Sequence, residues 1–309
     1  MDSPSEISTE IDYQAALSQG LLPIREVARQ TGVIPVTLRA WERRYGLVVP
    51  LRTRKGHRLY TAEDVARIRL ILTWLDRGVA VGQVKGLLKE QAALPLVEPT
   101  PDSPWDQQRQ HLLEAISNLA ERRLDEFFNA AVALYPPQTL YRQLLQPLLE
   151  ELDQRWRGQF GSQAERVFLH SWLRTKLGAR LYHNNRQYNG APILMINVSE
   201  LPMEPGLWLT AWLTSSADCA VVVFDWPVPA AELPLAVARI QPCALLLYSS
   251  QPLSPGQLPR LLNGHHCPCL LAGPAAAIHQ ADPTPGVILA QSPLDALQAL
   301  SDLGLLHNR

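Results

Sequence analysis

Between Thr37 and Tyr60 the chain reads TLRAWERRYGLVVPLRTRKGHRLY, which gathers Arg39, Arg43, Arg44, Arg52, Arg54, Lys55, His57 and Arg58 into 24 residues. Cations at this density suit one chemistry, the gripping of a polyanion. Guanidinium groups make charge-assisted bonds to phosphate and fork onto guanine edges. Thr37, Trp41 and Tyr60 lie among them and would add hydrogen-bonding or apolar contacts. A second candidate is HHCPC, where His265, His266, Cys267 and Cys269 offer soft metal ligands. That spacing is not a zinc finger's, and a Cys-x-Cys pair entering a strand is expected to pack as small apolar side chains, so no metal site is assigned. Asp218 and Asp225 flank a predicted strand, and Trp208 and Trp212 are four apart on a predicted helix. These read as loop acids and as core or interface aromatics.

Charge is unevenly spread. Residues 21–90 carry 14 Lys/Arg against 6 Asp/Glu, in a chain of net charge −1. Residues 91–309 carry 14 against 19, and residues 1–20 carry four acids and no Lys or Arg. A basic head on an acidic body implies a polyanion partner for the head alone. No run approaches the roughly 18 apolar residues of a membrane helix, and the acidic N-terminus does not resemble a signal peptide, so a cytoplasmic location without membrane contact is expected. Four late cysteines form no secreted disulfide framework.

The elements that must hold these residues follow from periodicity and turn signals. Residues 1–20 read as a flexible tail and 21–92 as the head. PIREVARQT predicts a short helix, TGV a tight turn, and Pro35 opens a second helix to about Tyr45. On that helix Leu38 and Tyr45 face the core, while Thr37, Ala40, Trp41 and Arg44 share the neighbouring face. Lys55-Gly56 fits a hairpin tip between LRTR and HRLY, and Thr61 with Asp64 fits a capping box opening the next helix. Residues 93–104 are a Pro-rich linker. Residues 105–188 read as a helical bundle with stripes Leu112, Ile116, Leu119, Leu124; Leu145, Leu148, Leu149, Leu152, Trp156; and Val167, Trp172, Leu173, Leu177. Residues 189–309 alternate unbroken apolar strands with helices, giving a five-stranded, doubly wound parallel α/β (Rossmann-like) domain. The fold class is therefore multidomain: an α winged helix-turn-helix head, a helical bundle and the α/β domain. There is no Gly-x-Gly-x-x-Gly after a strand, no phosphate loop and no nucleophile elbow, so an enzyme is not expected.

Four features in order, IREVARQTGV, TLRAWERRYGL, a wing ending in GHRLY, and DVARIRLILTWLDRGV, resemble the winged-helix DNA-binding domain of the MerR family of transcription regulators, in its MlrA-like branch. The resemblance implies a homodimer or higher homo-oligomer on inverted-repeat, double-stranded promoter DNA, acting on RNA polymerase indirectly through promoter distortion. The body resembles light-responsive cobalamin-binding regulators and the module of corrinoid methyltransferases. RWRGQFGSQAERVF looks like the W-x-x-G-x-x-S-x-x-x-E-H segment, with Trp156, Gly158 and Glu165 matching and Arg166 where the pattern has His. In SELPMEPG, where that family places Asp/Glu-x-His-x-x-Gly, Leu201 replaces the acid and Met203 the cobalt-ligating histidine. The expectation is therefore a degenerate site and no cofactor. The body would serve dimerisation or sense an unknown small-molecule effector. The alternatives are a working cobalamin photosensor, a corrinoid-carrying methyl-transfer subunit, and a head that takes an anionic ligand such as a cyclic dinucleotide.

Overall fold

The structure, a computed structural model, describes residues 13–89, 103–157, 161–264, 267–280 and 284–306. Most of the expected tail and linker, together with His265 and His266, lies outside the described residues. The chain divides into two compact units. One runs to Ala115 and resumes over Arg122–Glu150; the other takes Ile116–Glu121 and Glu151–Arg309.

In the first unit, helix Ile24–Thr31 ends at Gly32, whose φ of 71° lets its N–H reach Ala28 O at 2.9 Å. Pro35 starts the next helix at its first turn, where a missing N–H costs nothing. Pro35–Ala40 continues as one π-helical turn, Trp41–Tyr45, closed by Gly46 in the left-handed region. The wing is a three-stranded sheet of β1 (Leu22–Pro23), β2 (Leu51–Arg52) and β3 (Arg58–Tyr60), in the order β1-β3-β2. At its tip Thr53 and His57 exchange backbone and side-chain bonds, and Gly56 takes a φ of 79°. The capping box at Thr61 and Asp64 opens helix Ala62–Asp76, whose Val65, Ile68, Ile71 and Leu75 fill the core; helix Val81–Lys89 follows.

The cut between the two compact units falls at residue 150, within the stretch read as a bundle, and several contacts tie the part before it to the head. The Trp105 indole donates to Gly78 O at 2.9 Å and its ring lies 4.3 Å from that of Tyr135. Thr139 and Gln143 donate to the side chain and carbonyl of Asp76, both at 2.9 Å. Helices Pro104–Ser117 and Glu121–Leu134 therefore contact the head as well as standing in the stretch read as a bundle. Two stripe residues depart from expectation. Leu119 is exposed in a turn at φ 50°, and Val167 is exposed on helix Ser162–Asn185.

The second unit contains the parallel sheet β4 (Ile193–Asn197), β5 (Val221–Phe224), β6 (Ala244–Tyr248), β7 (Cys269–Ala272) and β8 (Val287–Ala290), in the order β5-β4-β6-β7-β8. Every residue of β4, β6 and β7 is buried, as unbroken apolar runs require. Leu194, Ile196, Leu245, Leu247 and Leu271 form one face of the core with Leu233, Leu258 and Leu261 from helices Leu233–Ile240 and Gln257–Leu262. Helices Pro205–Ser216 and Pro293–Asp302 pack together and on strands of the sheet, and Ser162–Asn185 packs on the former. The order reverses between β4 and β6, so their carboxyl ends frame the crevice where open α/β sheets take ligands.

Candidate nucleic-acid interface

Helix Pro35–Ala40 with its π-helical extension and the wing present their cations outward. Arg39, Arg43 and Arg44 are exposed on the helix, as are Arg52, Arg54, Lys55 and His57 on the wing. The His57 ring is met edge-on by Tyr13, centroid to centroid 5.6 Å. Arg58 is half-buried.

Three side chains expected on this surface are inside instead. Thr37 and Trp41 are 0% exposed and Tyr60 is 1% exposed. The face assignment of the second helix changes accordingly, with Thr37, Leu38, Ala40 and Trp41 turned inward. The cause is an acceptor far away in sequence: the Trp41 indole N–H donates to Leu134 O at 2.8 Å. An indole that finds both apolar cover and a carbonyl partner is more stable there than in water. Burial pushes the Tyr60 phenol up to about 12, and the charge of Glu42 acts in the same direction.

Glu42 was not among the sequence candidates, yet it organises the site. One carboxylate oxygen accepts from Arg52 Nη2 and the other from Arg58 Nε, each at 2.5 Å. Arg52 and Arg58 are direct partners across the β2–β3 ladder, so one helix residue holds both wing strands. Burial acts to raise the Glu42 carboxyl, but the hydrogen bonds from Arg58 and then Arg52 outweigh it and hold the carboxyl below the usual carboxylate range. The available signal was a lone acid inside an arginine run.

In the second unit, the crevice between β4 and β6 is filled by the chain itself. Asn197 donates to the carbonyls of Leu201 (2.9 Å) and Asp225 (3.0 Å) and accepts from the N–H and hydroxyl of Ser199. Glu204, 2% exposed, accepts from the Ser250 N–H at 3.0 Å and its hydroxyl at 2.7 Å. Tyr248 lies between two glycines: a Cβ on Gly206 would come 2.6 Å from its Cζ, and one on Gly273 would come 2.9 Å from the same atom. Met203 is buried. Sequence reasoning missed Tyr248, because nothing in a strand-terminal tyrosine signals that an earlier helix start at Gly206 and a later turn at Gly273 close on it.

Trp156 and Glu165 do meet: the indole donates to one carboxylate oxygen at 3.0 Å and Arg155 to the other at 2.9 Å. Arg166 stacks over the Trp156 ring at 5.2 Å, and His170 meets that ring edge-on. Burial, with the Arg166 charge, lowers the His170 imidazole to about 4, so it stays neutral near pH 7. Asp225, read as a loop acid, is buried; Arg174 pairs with it at 2.6 Å and Trp208 donates to it at 3.0 Å. Trp212 is core, as expected. Cys269 is buried in β7 and Cys267 is half-buried; no group of three or more metal-ligating side chains occurs among the described residues. No described helix is long and apolar enough to cross a membrane.

A helix-turn-helix followed by a wing, with exposed cations on both, is a winged-helix architecture, here carried with a Rossmann-like parallel α/β domain. Residues 22–91 match the MerR HTH family regulatory proteins and residues 108–181 match the B12 binding domain. It is 42% identical over 135 residues to the HTH-type transcriptional regulator MlrA of Salmonella typhimurium, covering 43% of this chain and 52% of that protein. It is 39% identical over 133 residues to MlrA of Escherichia coli, covering 43% and 52%. The HTH-type transcriptional repressor CarH of Myxococcus xanthus is 28% identical over 236 residues, 71% of this chain and 75% of CarH. The chain thus spans about half the length of the MlrA proteins it matches.

The module does not fit a cobalamin held through a histidine. The loop Ser199–Gly206 has no imidazole, Leu201 stands at the carboxylate position, and the crevice beside it is packed with Tyr248 and closed hydrogen-bond pairs. Neutral imidazole held by a carboxylate is the donor set such ligation needs. A buried thioether without that partner is a poor substitute.

Proposed function

We propose that this chain is a one-component transcription regulator, not an enzyme. Its head would bind double-stranded promoter DNA as a homodimer on an inverted repeat, and its body would supply dimerisation or effector sensing without cobalamin. The observation that carries this reading is the exposed cationic surface shared by one helix and its wing. Arg39, Arg43 and Arg44 project from the helix, and Arg54, Lys55 and His57 project near the wing tip. That surface suits a helix in the major groove with a ribbon along the flanking backbone. Thr37, Trp41 and Tyr60 drop out of the contact set because they are inside.

The test is binding of the full chain to duplexes selected from a random pool. Arg44→Ala is expected to weaken the selected site by roughly 1–3 kcal/mol if that guanidinium reads a base. Lys55→Gln is expected to weaken all duplexes about equally and to reduce the salt slope by about one unit. Full affinity in both variants would refute the assigned surface. Protection of a single asymmetric site would refute the dimer.

The absence of cobalamin has its own test. Purified protein incubated with adenosylcobalamin and passed through a desalting column is expected to elute without corrinoid absorbance. Stoichiometric retention would restore the photosensory reading.

A further inference from the structure

We infer that Glu42 is a positioning residue for DNA recognition: by clamping Arg52 and Arg58 it sets the angle of the wing against the reading helix, so that these two arginines frame the site rather than grip phosphate. The inference rests on the DNA-binding reading above and specifies how the head discriminates among sequences.

The geometry has three parts. First, the wing is small, with two residues in β2 and three in β3, and a ribbon of that size has little stability of its own. Second, Arg52 and Arg58 stand directly opposite each other on the β2–β3 ladder, where like charges repel. A carboxylate between them converts repulsion into two charge-assisted bonds of 2.5 Å. Third, the carboxylate comes from the helix that carries Arg39, Arg43 and Arg44, and its side chain is only 12% exposed. The clamp therefore joins the two parts of the reading surface, and its Arg58 arm, with both side chains mostly buried, is the less screened of the two. Its charge is secured by the lowered carboxyl, so the clamp persists through the neutral range.

Two consequences separate this role from a phosphate contact. With Glu42 in place, Arg52 and Arg58 are already paired and add little to counterion release. With Glu42 neutralised, both guanidiniums become available to any duplex while the wing loses its fixed angle. Non-specific attraction then rises and discrimination falls.

The experiment measures affinity of the full chain for its selected duplex and for a scrambled duplex of equal composition, across a salt series. Glu42→Gln is expected to bind the scrambled duplex severalfold tighter with a salt slope steeper by about two units. Its preference for the selected duplex should fall about tenfold or more, since a loosened reading element forfeits base contacts. Arg58→Gln should show a similar fall in preference with an almost unchanged salt slope. Lys55→Gln should do the opposite, losing slope and keeping preference. Retained preference in Glu42→Gln overturns the inference, as does a proportional loss on both duplexes. Should Glu42→Gln fail to fold by circular dichroism, Arg58→Gln decides: a slope lowered as in Lys55→Gln, with preference intact, makes Arg58 a phosphate contact and ends the proposal. A wild-type chain that prefers no duplex refutes the DNA-binding reading itself, which no result on Glu42 alone could do.

Discussion

Trp41→Ala is expected to destabilise the head by about 3–5 kcal/mol, the range for truncating a large buried aromatic. Two losses combine. The ring is 0% exposed on the inward face of the reading helix, so its removal leaves a cavity beneath that helix. Its N–H satisfies Leu134 O at 2.8 Å, and a buried carbonyl without a donor costs about 1–3 kcal/mol. Trp41→Phe keeps most of the ring and loses only the bond, so it should fall between wild type and Ala. Urea unfolding followed by circular dichroism measures both. Against a typical domain stability of about 5–15 kcal/mol, the Ala variant should bind DNA poorly because the helix carrying Arg39, Arg43 and Arg44 is loosened. An Ala variant with unchanged midpoint and slope that still lost operator affinity would place Trp41 back on the DNA surface.

Trp41 also marks where the sequence stops being informative. A helix wheel assigns faces relative to the contacts it can see, and within residues 21–92 an Arg-flanked tryptophan has no evident partner. The partner is a backbone carbonyl at residue 134, which no local periodicity encodes. The same long-range packing brings Trp105 onto Gly78 and Tyr135, contacts that no local periodicity encodes either. What local chemistry dictates was readable: the Gly32 corner, Pro35 at a helix start, the Lys55-Gly56 tip, the Thr61–Asp64 capping box, and all five parallel strands from their unbroken apolar runs. The cationic side chains were legible as a set because charge is additive along a sequence. Which of them pair with Glu42 was not. Which arginine faces Glu42 is decided by the register of β2 on β3 and by the docking of the helix. The loop's departure from the resembled pattern at Leu201 and Met203 was legible, whereas the packing of the crevice behind it was not.

That packing leads to the second large effect, at Gly206. Gly206→Ala is expected to destabilise the α/β domain by about 1–3 kcal/mol, because an added methyl overpacks a closed site. The methyl would fall 2.6 Å from Tyr248 Cζ and nearer still to its hydroxyl, and the same ring lies close to Gly273. Helix Pro205–Ser216 would have to lift from the ends of β4 and β6 to accommodate it. Tyr248→Ala alone should also destabilise, by about 3 kcal/mol, through the cavity it leaves. The two losses should not add. In Gly206→Ala/Tyr248→Ala the new methyl enters space the ring has vacated, so the double variant should lose about 1–3 kcal/mol less than the sum of the two single losses. Thermal or urea unfolding of the four proteins completes the cycle. Additive losses would mean that Tyr248 does not fill the crevice in solution. A coupled result would identify the tyrosine ring as what occupies the place where a sheet of this order offers room for a ligand.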